Sequence, residues 1–209
     1  MKFRVAGLLA AMLCAGCGGL LDSKIPAPQA YVLRLPARAA STPANAAPAG
    51  SVLLQRPKAG PGLDSDRIVL LRSDSRFDFY AASRWAAPAP DMLASFIVDG
   101  LRASGSFSAV FDDTAPYAPR YNLRCTLRRF ESDYTKGGGA PTVFVAFDCT
   151  LGRHRDRELL SSFTAQGSAM ASADRLNDVV AAFETASTAA VAELEKQAAA
   201  AVATEPRDP

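Results

Sequence analysis

The chain is poor in the residues from which enzymes build reactive sites. It holds one histidine, four cysteines and one tryptophan; the only CxxC spacing, Cys14-Ala15-Gly16-Cys17, falls within the first 17 residues, and Cys125 and Cys149 belong to none. The lone histidine, His154, sits in the charged turn Arg153-His154-Arg155-Asp156-Arg157-Glu158, where it reads as a solvated loop residue. A structural zinc site needs about four Cys, His or carboxylate donors in a tetrahedral array, and one histidine with two cysteines disposed to pair does not supply them. Ser104-Gly105 and Gly137-Gly138-Gly139 lack the flanks of a nucleophile elbow or a phosphate loop. Asp64, Asp66, Asp112 and Asp113 fall in turns, where capping accounts for them. The expectation is a protein with no catalytic residue, no metal and no cofactor.

Long apolar runs and net charge are also missing. Val5–Leu13 is apolar over nine residues, whereas crossing a bilayer takes about 20. Preceded by Lys2 and Arg4 and followed by the small residues Ala15-Gly16, this run reads as a cleaved export signal covering residues 1–16. The 23 Lys and Arg lose Lys2 and Arg4 with it, which leaves 21 basic against 21 acidic side chains. A mature chain without net charge has no global electrostatic reason to bind nucleic acid or an anionic membrane surface.

What is present begins at Cys17. The run Leu13-Cys14-Ala15-Gly16-Cys17 resembles a bacterial lipobox, in which the cysteine becomes the new N-terminus and carries a diacylglycerol and an N-acyl chain such as palmitate. Cys14 stands where that motif prefers Leu, Val or Ile, and Leu13 before it is too large for Cys14 itself to be the modified residue. The plainer alternative is an ordinary signal cut near Ala15, leaving Cys17 a free thiol. Each buried methylene contributes about 0.8 kcal/mol, so two or three acyl chains hold a protein at the membrane practically permanently. Gly18 replaces the Asp that signals inner-membrane retention in enterobacterial lipoproteins, which points to the periplasmic face of the outer membrane.

Residues 17–30 then read as an acylated tether, with about a dozen flexible residues giving an r.m.s. reach of about 20 Å. Residues 31–202 suit a single domain, interrupted by the Ala/Pro-rich stretch 36–50, which is too poor in large apolar residues to order itself. Residues 203–209 read as a frayed or disordered tail. Within the domain, Tyr31–Leu35, Ser51–Arg56 and Arg67–Arg72 read as strands, with a Pro/Gly turn around Pro57–Gly62 and an extended edge through Phe77, Phe79 and Tyr80. Pro88, Pro90 and Asp91 signal a helix start, Leu93, Phe96, Ile97 and Leu101 share one face, and Gly105 ends it. Phe107–Phe111 is a short strand, and Leu159–Ser168 another. A long helix runs from about Asp174 through Val179, Phe183, Val191 and Leu194 to Val202, with Ser172 or Asp174 as its cap. This order closes best as an α+β two-layer sandwich, a mixed and mostly antiparallel sheet with two helices on one face.

Two pairs of residues stand out. Leu123, Cys125 and Leu127 alternate with polar neighbours, as do Val143, Val145, Phe147, Cys149 and Leu151, and a flexible turn from Thr135 to Pro141 lies between the two runs. Folding this hairpin about Gly137 sets Cys125 opposite Cys149, so an exported chain can join them in a structural disulfide. Two reduced, buried thiols are the alternative. Arg84-Trp85 precedes the first helix; Trp85 either staples that loop onto the core or, with Arg84, anchors a partner interface, since Trp and Arg are the types that most often do so.

The lipobox, Tyr31-x-Leu33-x-Leu35-Pro36, Leu63-Asp64-x-Asp66-Arg67-Ile68-Val69, Arg84-Trp85-Ala86-x-Pro88 and Leu101-x-x-Ser104-Gly105-x-Phe107 occur together and in this order. In that combination the chain resembles the ABC-type transport auxiliary lipoproteins of the PqiC kind, over roughly Cys17 to Leu194. The resemblance implies intermembrane lipid transport across a Gram-negative envelope, with no enzyme activity. Its implied partner is the periplasmic MCE-domain protein of an ABC lipid transporter, whose hydrophobic passage the lipoprotein docks or receives at the outer membrane. Homo-oligomerisation is left open. A competing reading is a lipid- or lipopolysaccharide-binding lipoprotein of envelope assembly, which would need an apolar pocket of its own.

Overall fold

The computed structural model describes residues 27–35 and 48–205. The export signal, Cys14, Cys17, the first part of the tether, most of the Ala/Pro stretch and residues 206–209 lie outside them. The described chain is an α+β fold in which two helices pack against a mixed, mostly antiparallel sheet.

The sheet is organised around one long strand, β8 (Tyr121–Asp133). On one side it forms an antiparallel meander with β9 (Thr142–Arg153) and β10 (Leu159–Met170). The alternation of apolar and polar residues that marks these strands puts Leu123, Cys125, Leu127, Val143, Val145, Phe147 and Leu151 in the core. The alternation breaks once, where Leu127 and Phe130 are three apart. A bulge at Arg128 resolves the conflict: the register passes from Leu127–Phe147 to Arg129–Ala146, so Phe130 points inward again.

The other side of β8 is lined piecewise by three short parallel strands. They are β2 (Val52–Leu54), β3 (Lys58–Ala59) and β4 (Val69–Leu71). β3 lies inside the Pro/Gly stretch expected to be turn alone. β5 (Phe77–Phe79) continues antiparallel from β4, and β7 (Val110–Phe111) runs parallel to β2. The N-terminal strand is displaced from its expected position. It is β1 (Gln29–Tyr31), which makes a separate parallel pair with β6 (Ser83–Trp85), a strand with no sequence signal of its own.

Helix α1 (Ala89–Ser104) follows Pro88, carries Pro90 and Asp91 in its first turn, and stops at Gly105 with φ 71° in the left-handed region. Helix α2 (Leu176–Ala203) buries a stripe from Val179 through Phe183, Ala186, Ala190 and Leu194 to Val202. Neither Ser172 nor Asp174 caps it. Ser172 donates to Asp178 instead, Asp174 accepts from Tyr134, and Arg175 occupies the cap position without a side-chain bond. The helices meet where Gly100 of α1 leaves room for Val191 of α2, and both share one core with the sheet. Gly167 of β10 sits still closer to α2, where a Cβ would lie 2.2 Å from the carbonyl oxygen of Ala186. Thr204 and Glu205, expected in the tail, extend the fold: Glu205 accepts from Arg153 at 2.6 Å and from the Tyr121 hydroxyl at 2.7 Å. No helix of the described residues is long and apolar enough to cross a membrane.

Candidate functional site

Cys125 and Cys149 face each other across β8 and β9 with Cα atoms 4.1 Å apart, and their sulfurs are bonded at 2.05 Å. The pair is buried among the core residues, so it reinforces the hairpin and presents no thiol to solvent.

The Arg84-Trp85 dipeptide divides. The strand pleat turns Trp85 inward, where it is 0% exposed, and leaves Arg84 on the surface, ion-paired to Asp66 at 3.5 Å. The indole packs on Phe130 and Phe183 at centroid distances of 5.4 and 5.1 Å, and those two rings are themselves 4.8 Å apart. Trp85 therefore takes the stapling role and has no surface to offer a partner. Its indole N–H is enclosed without an acceptor, as is the hydroxyl of Ser187 one helical turn beyond Phe183.

The acidic turn residues are spent locally. Asp64 and Asp91 clamp Arg56, whose guanidinium they drive further towards the charged form, while the Arg56 hydrogen bond holds the Asp91 carboxyl below its ordinary range. Asp112 accepts from the backbone and hydroxyl of Thr114. Among the described residues no group of three or more His, Cys, Asp or Glu is placed to hold a metal ion.

The helices cover one face of the sheet, and the opposite face carries its shaped feature. Part of that face is a tight polar cluster. Glu131, almost fully buried, accepts from Arg129 Nε at 2.6 Å, and the Arg129 guanidinium lies 4.1 Å over the Phe144 ring. Burial pushes the Glu131 carboxyl up against the opposing pull of Arg129. Further along, an open recess of about 700 Å³ forms between β2, the β8–β9 ladder and the β9–β10 turn. Arg124 and Thr150 form its floor as a cross-strand pair, beside Asn122 opposite Gly152. Leu53 and Leu159 border it, and His154 and Arg157 come from the turn. The Asn122 amide nitrogen lies 3.1 Å from His154 Nδ1 and holds the ring at the recess wall.

Arg124 and Arg157 have no carboxylate partner among the described residues. The other two arginines at the recess are neutralised, Arg56 by Asp64 and Asp91, and Arg153 by Asp156, Glu158 and Glu205. None of these recess residues stood out as a site in the sequence. Arg124 was visible only as the polar phase of β8, and His154 and Arg157 as a charged turn. What assembles them is β2, which reaches β8 across a long sequence gap.

The sheet is thus packed by helices on one face and bears an open recess on the other. The chain belongs to the family of ABC-type transport auxiliary lipoprotein components, whose sequence model matches residues 31–195. The family is one of transport-associated lipoproteins and not a known enzyme family. Among solved structures, the chain is similar to a Xanthomonas campestris protein of the DUF330 family, at 28% identity and a TM-score of 0.71, covering 83% of this chain and 96% of that one. A second, described only as an uncharacterized protein, shares the fold at 14% identity and a TM-score of 0.63, covering 82% and 98% respectively. No curated protein matches the chain in sequence.

Proposed function

We propose that the protein is held by acyl chains on Cys17 at the periplasmic face of the outer membrane and docks or receives the MCE-domain passage of an ABC-type lipid transporter. The family match from β1 almost to the end of α2 carries the transporter assignment. The lipobox resemblance supplies the anchor. β1 supports the geometry: its ladder with β6 fixes the chain to the domain at Gln29, so only the stretch from Gly18 to Pro28 separates domain from membrane. Docking is favoured over lipid storage because the core is filled by Trp85, Phe130 and Phe183, and the recess described above is open rather than enclosed. Of the two residues expected at the interface, Arg84 remains available on the surface.

The test is an affinity pull-down from membranes with the acylated protein, followed by mass spectrometry of proteins and lipids. Recovery of an MCE-domain protein with its permease and ATPase is the expected result. Stoichiometric lipid without those proteins would overturn the reading. A Cys17→Ser variant is expected to lose acyl labelling and to leave the membrane fraction.

A further inference from the structure

We propose that the recess on the open sheet face is a binding site for a phosphate group, with Arg124 and Arg157 as its cationic ligands. Guanidinium groups meet phosphate oxygens with two parallel N–H donors, the geometry that makes arginine the preferred phosphate ligand. The two arginines that lack carboxylate partners line the same recess. The carboxylates that reach it are already engaged: Glu158 binds Arg153 at 2.9 Å, and Asp113 accepts the Arg56 backbone N–H at 3.3 Å. The Thr150 hydroxyl and the His154 imidazole complete the polar lining.

Arg157 has a φ of 62° in the β9–β10 turn, a left-handed conformation in which glycine would be unstrained. A side chain is thus kept at a backbone position that disfavours one, at a cost of about 1–3 kcal/mol. The recess also has an apolar border. Leu159 is 61% exposed beside Leu53, which suits the glycerol and first methylenes of a phospholipid better than an isolated ion. The chemistry recognised is a phosphate ester or free phosphate; that it comes from a lipid headgroup rests on the transport reading above.

The single histidine gives the experiment its probe, because one imidazole resonance reports from the recess wall. The full chain, in detergent, is titrated with sn-glycerol 3-phosphate and separately with inorganic phosphate, following the His154 ring protons by NMR. A saturable shift is expected, about tenfold or more weaker in Arg124→Gln/Arg157→Gln, as loss of charge-assisted hydrogen bonds implies. Arg128→Gln, which removes the same charge from a residue paired to Asp148 elsewhere on this face, is expected to leave the affinity unchanged. Tighter binding of the glycerol ester identifies a headgroup site, and equal binding identifies a free-phosphate site. No saturable shift, or one undiminished in the double variant, overturns the proposal. Pull-down with the native chain separates the two readings: transporter recovery by a chain that shows no saturable phosphate shift rejects this site and leaves the docking assignment standing.

Discussion

The indole of Trp85 stands nearly perpendicular to the ring of Phe183, with an interplanar angle of 83° and centroids 5.1 Å apart. Edge-to-face contact of this kind adds about 0.5–1.5 kcal/mol beyond the area buried. Here it ties the segment before α1 to the N-terminal third of α2, a link between residues almost a hundred positions apart.

Trp85→Ala is expected to destabilise the fold by about 3–5 kcal/mol through the cavity it opens. Chemical denaturation read by circular dichroism checks this. Because Trp85 is the only tryptophan, native fluorescence should be blue-shifted and should move red in step with that transition. Partner binding lost by a variant that remains folded, with an unchanged denaturation midpoint, would contradict the purely internal role.

Removing the Cys125–Cys149 bond, by reduction or by a double Cys→Ala change, is expected to cost about 3–4 kcal/mol on the chain-entropy model for a closed loop of this size. The measurement is a urea midpoint with and without reductant. The double variant should be insensitive to reductant, since no other disulfide is present among the described residues.

Much of this was legible in advance, and the parts that were not share a cause. The hairpin, its opposed cysteines, the start and stop of α1 and the stripe of α2 each follow from a period or a punctuating residue within a short window. β1, β3 and β6 are two or three residues long, too short to express any period. Their existence is decided by a partner's edge: β3 by β8, and β1 and β6 by each other. Trp85 was ambiguous for a related reason, since Phe130 and Phe183, which bury it, are distant in sequence. The recess depends in the same way on β2 meeting β8.

Gly167→Ala is expected to be strongly destabilising, because the new Cβ would meet the backbone carbonyl of Ala186 at 2.2 Å. Overpacking of this kind typically costs about 1–3 kcal/mol, and backbone yields less readily than a side chain. Ser168→Ala, on the exposed phase of the same strand, serves as the comparison and should be close to neutral. Thermal melts of the two variants decide the matter.

The Glu205 contacts predict an acid-sensitive contribution to stability. Burial opposes ionisation of its carboxyl, but the Tyr121 hydroxyl and the Arg153 guanidinium outweigh it, so its pKa lies below the ordinary carboxylate value. A folded-state pKa below the unfolded one gives stability that is fully present above the unfolded pKa and lost as pH falls through the folded one. Stability measured from neutral pH downward should therefore decline more steeply in the native chain than in Glu205→Gln. Parallel curves would remove Glu205 from the account.

The three short strands that line β8 have a consequence for how the chain acquires its shape during export. β2, β3 and β4 all precede β8 in sequence, and β8 supplies the edge on which each of them docks. A chain delivered N-terminus first exposes these segments before that edge exists. The β8–β9–β10 meander, by contrast, joins neighbours through short turns and closes with local contacts, the kind that form fastest. The late-arriving half is thus the template, and the first-delivered half is a set of segments awaiting it, in an interval when chaperones of the compartment have most to bind.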